Sequence, residues 1–264
     1  MSDERASAGP DGARESTDEQ ASAGPDDPDT HPGFDVTGES DGASAATSDA
    51  GIAAGPGAGE ELGTGMELAL CYSGGKDSTL AALLLDSFYD VRLVTAHFDV
   101  TDGWRHARAA AESLGYPFET VELDLDVAAE AVDRIREDGY PRNGIQLVHE
   151  HALEAVAELD VAAIADGTRR DDRVPTVSRA QAQSLEDRNG VDYIAPLSGF
   201  GRGAVDRLVE ATLDVEVGPS EQIPKADYEA ELRSLVAEEG GEAAVAELFP
   251  DHTQTRVHGF RGPE

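Results

Sequence analysis

The sequence predicts an α/β protein built on a doubly wound parallel sheet of five strands, followed by a helical C-terminal extension. Three observations carry this expectation. From Met66 onward, short aliphatic and β-branched runs alternate with longer stretches of helical periodicity, the pattern of strand and crossover helix in turn. The first apolar run, Leu68-Ala69-Leu70-Cys71-Tyr72, passes directly into Ser73-Gly74-Gly75-Lys76-Asp77-Ser78 and then into Thr79-Leu80-Ala81-Ala82-Leu83-Leu84-Leu85, which reads as strand, glycine turn and helix start. The fourth apolar run ends in a second polar loop, which right-handed crossovers bring to the same edge of the sheet.

Each element has its own signal. The first strand is expected at 67–72, and the helix after the glycine turn places Leu80, Leu83, Leu84 and Phe88 at helical spacing. A second strand, 91–98, leads to a helix near 103–114, and a third, 118–123, precedes a helix around 126–138. A long helix over 144–159 keeps Ile145, Val148, Ala152, Val156 and Leu159 on one face. The fourth strand is expected at 161–165 and the fifth at 191–195. Helices near 202–213, 225–238 and 241–248 complete the chain, with the sheet domain over 66–215 and its extension over 216–264.

Residues 1–65 have few large apolar side chains, and carry 15 acidic and 2 basic residues. Such a segment cannot bury enough surface to offset chain entropy and is expected to be disordered. A near-duplicate, from Asp3 to Asp11 and from Asp18 to Asp26, fits low complexity better than a structural repeat. The only methionines are Met1 and Met66, and Met66 stands where the ordered pattern begins, so a start at Met66 is an open expectation.

Composition sets limits. With 264 residues and 39% hydrophobic content the chain can build one ordinary core, and no run approaches the ~20 apolar residues of a membrane span. No secretory leader is visible, so a soluble, cytoplasmic protein without membrane partners is expected. The single cysteine, Cys71, excludes an intrachain disulfide, a cysteine-based zinc cluster and a cysteine pair; inside the first strand it is expected to be a buried structural residue. A net charge of -34 would ordinarily argue against nucleic acid. Only two basic residues are lysines, however, and acid excess with depleted lysine resembles adaptation to a salt-filled cytoplasm. At molar salt the Debye length is ~3 Å, so the charge does not exclude RNA.

The glycine turn has the chemistry of a phosphate cradle. Two glycines let the backbone turn tightly and approach an anion, and the following helix adds the positive end of its dipole. Lys76 supplies a cation, Ser78 a hydroxyl, and Asp77 a carboxylate able to hold a divalent metal. A Walker A loop has longer glycine spacing, so this loop is of another kind.

Ser73-Gly74-Gly75-Lys76-Asp77-Ser78 resembles the SGGxDS motif of the PP-loop, or N-type ATP pyrophosphatase, superfamily, in its strand and helix context as well as its letters. The resemblance implies a Rossmann-like, adenine nucleotide α-hydrolase-like sheet. It also implies cleavage of ATP between the α and β phosphates to give an adenylated substrate and pyrophosphate. Similar enzymes include those that thiolate tRNA or form lysidine in it, 7-cyano-7-deazaguanine synthase, and the synthetase domains of GMP and asparagine synthetases. ATP and Mg2+ are the implied cofactors. Lys225, the other lysine, matches a late lysine that several relatives place on pyrophosphate; a solvated lysine at a helix start is the competing reading.

At the end of the fourth strand stands Asp166-Gly167-Thr168-Arg169-Arg170-Asp171-Asp172-Arg173. The resembled family often has a glycine and paired aspartates here. Asp171 and Asp172, with Asp77, are therefore candidate metal ligands, Gly167 a nucleotide contact, and Arg170 or Arg169 the group neutralising pyrophosphate as it leaves. An acidic loop in an acidic chain is the plainer alternative. His97 and Phe98 end the second strand, beside where relatives bind adenine, mostly through backbone groups. Pro141-Arg142-Asn143-Gly144 is similar to a pocket segment of the deazaguanine synthases, and equally fits a turn capped by Asn143. His149-Glu150-His151 falls within a helix at i and i+2, a poor metal site. Pro175, Ser178 and Arg179 are candidates for the acceptor substrate, with a solvated loop as the competing reading, and Trp104 for packing.

The expected activity is ATP-dependent adenylation of a carbonyl or carboxyl oxygen, in tRNA base thiolation ahead of amide or nitrile formation on a small molecule. Without a cysteine pair, the sulfur or nitrogen donor must be external. A regulatory protein that binds ATP without splitting it is the rival from another class, and a homodimer is among the assembly states left open.

Overall fold

The computed structural model describes residues 65–224 and 226–262. The expectation for residues 1–65 falls outside these apart from Gly65, and Lys225 also lies outside the described residues. The five-stranded sheet comprises β1 (Glu67–Cys71), β2 (Asp90–His97), β3 (Phe118–Glu122), β4 (Ala163–Ala165) and β5 (Asp192–Ile194). Their order is β3-β2-β1-β4-β5 and every pairing is parallel. This is the Rossmann-like, doubly wound sheet that the alternation predicts.

The apolar run of β1 is continuous because both faces of this central strand are covered. Leu68, Ala69 and Leu70 are fully buried, and successive residues point to opposite faces. Leu68 and Leu70 pack with α1 (Lys76–Leu85), α2 (Trp104–Leu114) and α6 (Arg202–Thr212), through Leu80, Ala107, Ala111 and Val205. Ala69 joins Val94 and Ile164 against α4 (Arg142–Ala157) and α5 (Arg179–Asn189), through Leu153, Val156 and Leu185. A third cluster joins Ala96 and Phe98 to α3 (Leu125–Asp138), α4 and α7 (Tyr228–Leu248).

Several elements differ from expectation. α1 ends at Leu85, leaving Phe88 62% exposed instead of on the helix face. α5 occupies a stretch for which no element is expected; its Ser178 and Gln181 form a reciprocal capping box, a helix-start signal legible in the residues. α7 begins at Tyr228 and is broken at Gly241, whose φ of 73° and ψ of 178° are not helical, which accounts for two helical periodicities. The C-terminal extension also contains an antiparallel ribbon of β6 (Leu213–Pro219) and β7 (Thr253–Phe260). Leu213, expected at the end of a helix, instead starts β6, whose period-two Leu213, Val215 and Val217 marks a strand. β6 runs through position 215, so sheet domain and extension share an element.

α4 carries part of the site and is set by its approach to α3. A Cβ on Gly144 would stand 2.5 Å from Ile135 Cγ1 and 2.6 Å from the Ala131 carbonyl oxygen, so the helices meet where only a hydrogen fits. Gly144→Ala must push them apart and should cost about 1–3 kcal/mol, read as a lower urea midpoint.

Candidate active site

The glycine turn lies at the carboxyl end of β1, where the sheet order reverses between β2 and β4 and a crevice opens. Gly74 has φ of 77°, which a side chain tolerates poorly, and a Cβ there would meet Ala107 Cα of α2 at 3.2 Å. Gly75 caps α1 in extended conformation. Its carbonyl accepts from the Thr79 N–H at 3.1 Å and the Thr79 hydroxyl at 2.9 Å. The N–H groups of Asp77 and Ser78 thus belong to the first helical turn, which has no intrahelical acceptor.

The loop is braced from behind by the C-terminal extension. The Lys76 N–H donates to Thr255 Oγ1 at 3.2 Å, the Val257 N–H to the Gly74 carbonyl at 2.9 Å, and the Ala226 N–H to the Ser73 carbonyl at 3.2 Å. From the other side the loop after β4 presses on α1: a Cβ on Gly167 would fall 2.7 Å from the Ser78 nitrogen and 2.8 Å from its Cα. Gly167 is therefore a packing requirement of the loop pair.

The charged residues form a chain of pairs. Lys76 Nζ is 2.6 Å from Asp77 Oδ1 and 3.7 Å from Asp206. Arg169 lies 3.7 Å from Asp77 Oδ2 and clasps Asp172, with Nε and Nη2 donating to Oδ1 at 3.0 and 2.6 Å and its backbone N–H to Oδ2 at 2.8 Å. Arg170 is exposed with a guanidinium nitrogen over Gly201, so the structure brings Arg169 to the cluster and leaves Arg170 outside it. Asp171 pairs with Arg202 at 3.4 Å. Among the described residues no three His, Cys, Asp or Glu side chains group as a metal site. Asp77 and Asp172 both line the central cavity, and magnesium usually takes only one or two carboxylates beside phosphates and water. These two fit that donor set; Asp171 is not brought to it.

His97 and Phe98 do not line the cavity; Val94 and Ala96 of β2 do. Phe98 is 1% exposed, and its N–H is taken by Glu231 of α7, whose carboxylate also accepts from Val100. The His97 Nδ1 accepts from the Asp99 N–H, and its ring lies 6.2 Å from that of Trp104. The backbone edge expected to meet adenine is occupied by α7.

The cavity, about 430 Å3, runs from Ser73, Asp77 and Ser78 past Gly167 to Arg142, Ile145 and His149 of α4 and Tyr228 of α7. On its wall is a buried network that the sequence reading overlooked. Asp166 is 2% exposed, and its Oδ2 lies 2.9 Å from His149 Nε2 and accepts from the Tyr193 hydroxyl at 2.9 Å. Its Oδ1 accepts from the N–H and hydroxyl of Thr168 at 2.9 and 2.6 Å. His149 is 4% exposed, so the i, i+2 spacing does separate the histidines, but by turning His149 inward to a carboxylate. Cys71 is half-buried and lines the cavity; burial, with Asp166 nearby, pushes its thiol well above the ordinary range.

Burial alone would raise the Asp166 carboxyl, but the hydrogen bond and charge of His149 and the two Thr168 bonds hold it below its ordinary value. Its folded pKa is thus below its unfolded one. The stability it contributes is complete above the unfolded value of about 3.9 and is lost as pH falls through the folded value. Urea unfolding over an acid series should show Asp166→Asn losing less stability across that interval than the unaltered chain.

Relatives exist in a methanogen. A protein of Methanocaldococcus jannaschii, the uncharacterized protein MJ0690, is 39% identical over 197 residues, covering 74% of this chain and 97% of that protein. A crystal structure from the same species, of a protein described as a predicted subunit of tRNA methyltransferase, matches 75% of this chain and 100% of that chain, at 38% identity and a TM-score of 0.68. Among the described residues no helix is long and apolar enough to cross a membrane. The family of unknown function DUF7411 matches residues 66–259, from the first strand through the ribbon that braces the glycine turn, and the chain belongs to it.

Proposed function

We propose that this protein is a PP-loop enzyme that splits ATP between its α and β phosphates, places AMP on a carbonyl or carboxyl oxygen, and so prepares a base in tRNA for modification. The observation that carries the reading is the short glycine turn, at the reversal of the sheet, presenting the first turn of α1, Asp77 and Ser78 to a cavity wide enough for a nucleotide portion. Backbone N–H groups and the helix dipole suit a phosphate there. Lys76 and Arg169, both paired with Asp77, line a neighbouring cleft that shares Asp77 with the central cavity, and on binding they would exchange that carboxylate for phosphate oxygens. Asp77 and Asp172 would hold a magnesium ion that neutralises phosphate charge. Lys225 is proposed as a second phosphate contact.

The tRNA substrate is supported by the description of the methanogen structure, which names a tRNA methyltransferase subunit. Adenylation needs little covalent work from the protein; positioning and charge stabilisation suffice. The sulfur or nitrogen that replaces AMP comes from an external donor.

The test is product identity. Protein given ATP, magnesium and tRNA from cells lacking its gene should form AMP and pyrophosphate; ADP and orthophosphate would refute adenylation. Nucleoside profiles of those cells should lack one modification, and an unchanged profile would refute the tRNA substrate.

A further inference from the structure

We propose that His149, oriented by Asp166, is the general base that removes the proton of the nucleophile displacing AMP. This role rests on the adenylating reading above. Three features of the molecule point to it.

The first is place. His149 lies on the wall of the same cavity that Ser73, Asp77 and Ser78 bound on the phosphate side, so one continuous space joins the phosphate cradle to the imidazole. The second is fixation. The Asp166 carboxylate 2.9 Å from Nε2 is itself held by Thr168 and Tyr193, and while ionised it can only accept a hydrogen bond from that nitrogen. Nε2 then carries hydrogen and the lone pair is on Nδ1, for which no partner is present among the described residues. A buried carboxylate that sets the tautomer and stabilises the imidazolium is what a histidine base requires. The Tyr228 ring, with its centroid 6.0 Å from that of His149, limits the ring from α7.

The third is the absence of a better base nearby. Cys71 from β1, Tyr193 from β5 and Tyr228 from α7 are the other titratable groups around the pair, and burial pushes each above its ordinary value, keeping them protonated at neutral pH. The charged groups of the remaining wall are Arg142, Asp77, Asp172, Asp227, Glu229 and His252. Asp77 and Asp172, paired with Arg169 here, are the carboxylates assigned to magnesium in the reading above. His252 also stands on the cavity, 3.6 Å from Glu229, but its Nδ1 faces the Pro250 carbonyl at 3.3 Å and its Nε2 the Gln254 amide at 3.1 Å, so both ring nitrogens are engaged. His149 has the closer carboxylate and a ring nitrogen left open to the cavity.

In the step, the nucleophile's lone pair bonds to the adenylated carbon. The bond from that carbon to the AMP oxygen breaks, its electron pair leaving with AMP, and the nucleophile's proton passes to Nδ1. Charge on the imidazolium is balanced by Asp166. No oxidant or reductant is needed.

The experiment separates the two half-reactions, with hydroxylamine as probe nucleophile because it is uncharged at neutral pH and carries protons to lose. The complete chain is given ATP, magnesium and tRNA from cells lacking its gene. His149→Gln should release one equivalent of pyrophosphate at the unaltered rate, then form AMP about 10²- to 10⁴-fold more slowly. Imidazole added to His149→Gly should restore AMP formation, and Asp166→Asn should displace the acid limb of its pH profile. Independently of turnover, nitrogen NMR at a pH where the ring is neutral should find the hydrogen on Nε2.

Equal slowing of both half-reactions without imidazole rescue, unchanged AMP formation in His149→Gln, or hydrogen on Nδ1 would overturn the role while leaving adenylation standing. If the unaltered chain releases no pyrophosphate, the adenylating reading falls and this role with it.

Discussion

Lys76→Ala should slow pyrophosphate release from ATP by roughly 10²- to 10³-fold, the usual loss when one preorganised donor to a developing anion is removed. Its fold should be almost unaffected. The lysine opens α1 with its side chain 18% exposed, its ammonium 2.6 Å from Asp77 and 3.7 Å from the half-exposed Asp206. Pairs of that kind contribute up to about 1 kcal/mol, so the urea midpoint should move little. Lys76→Arg should not recover the rate, because a planar fork cannot take the place of a compact ammonium beside two glycines. Rapid-quench measurement of pyrophosphate in the first turnover checks this. A normal rate with a lowered midpoint would mean that the lysine only holds Asp77.

Asp166→Ala should have the largest effect on stability. It removes the common acceptor of His149, Tyr193 and both Thr168 donors, at a site where water hardly reaches. Breaking a buried pair by deleting one partner costs about 3–5 kcal/mol, because the other is left desolvated and unmatched. That is a large part of the ~5–15 kcal/mol available to a domain. Asp166→Asn keeps the size and one acceptor oxygen, so it should cost less, though its amide must turn N–H groups toward one set of donors. Thermal unfolding should rank the chains as unaltered, Asn, then Ala. An Ala variant as stable as the Asn variant would show that shape, and not the hydrogen bonds, is what the site needs.

Why some of this was readable in the residues and some was not follows from range. The strands and the turn from Tyr72 to Thr79 are local: an apolar run, two glycines and a helix-forming stretch specify them without help. The pairing of the two polar loops was also accessible, since a parallel sheet puts strand ends on one edge. The dyad was not, because its members stand 17 residues apart on a helix and a strand end, and only packing of α4 on the sheet turns His149 toward Asp166. Choosing between Arg169 and Arg170 needs the rotation of one residue in a loop, which no periodicity encodes. The ribbon was legible in its alternation but hidden by the helix before it, whose pattern carries smoothly into Leu213. His97 and Phe98 were expected from the end of the second strand, beside where relatives bind adenine, and the group that takes the Phe98 N–H, Glu231, arrives from 133 residues away.

The bracing of the glycine turn by the ribbon has a consequence for the order in which the protein is made. Lys76 and Thr255 are 179 residues apart, yet the N–H of one is held by the hydroxyl of the other, and Val257 closes on Gly74 beside them. On a ribosome, the central strand and its turn emerge early while their clasp is still unsynthesised. The nascent sheet would therefore carry an unbraced loop until β7 has left the exit tunnel, and on the adenylating reading the phosphate seat would be complete only then.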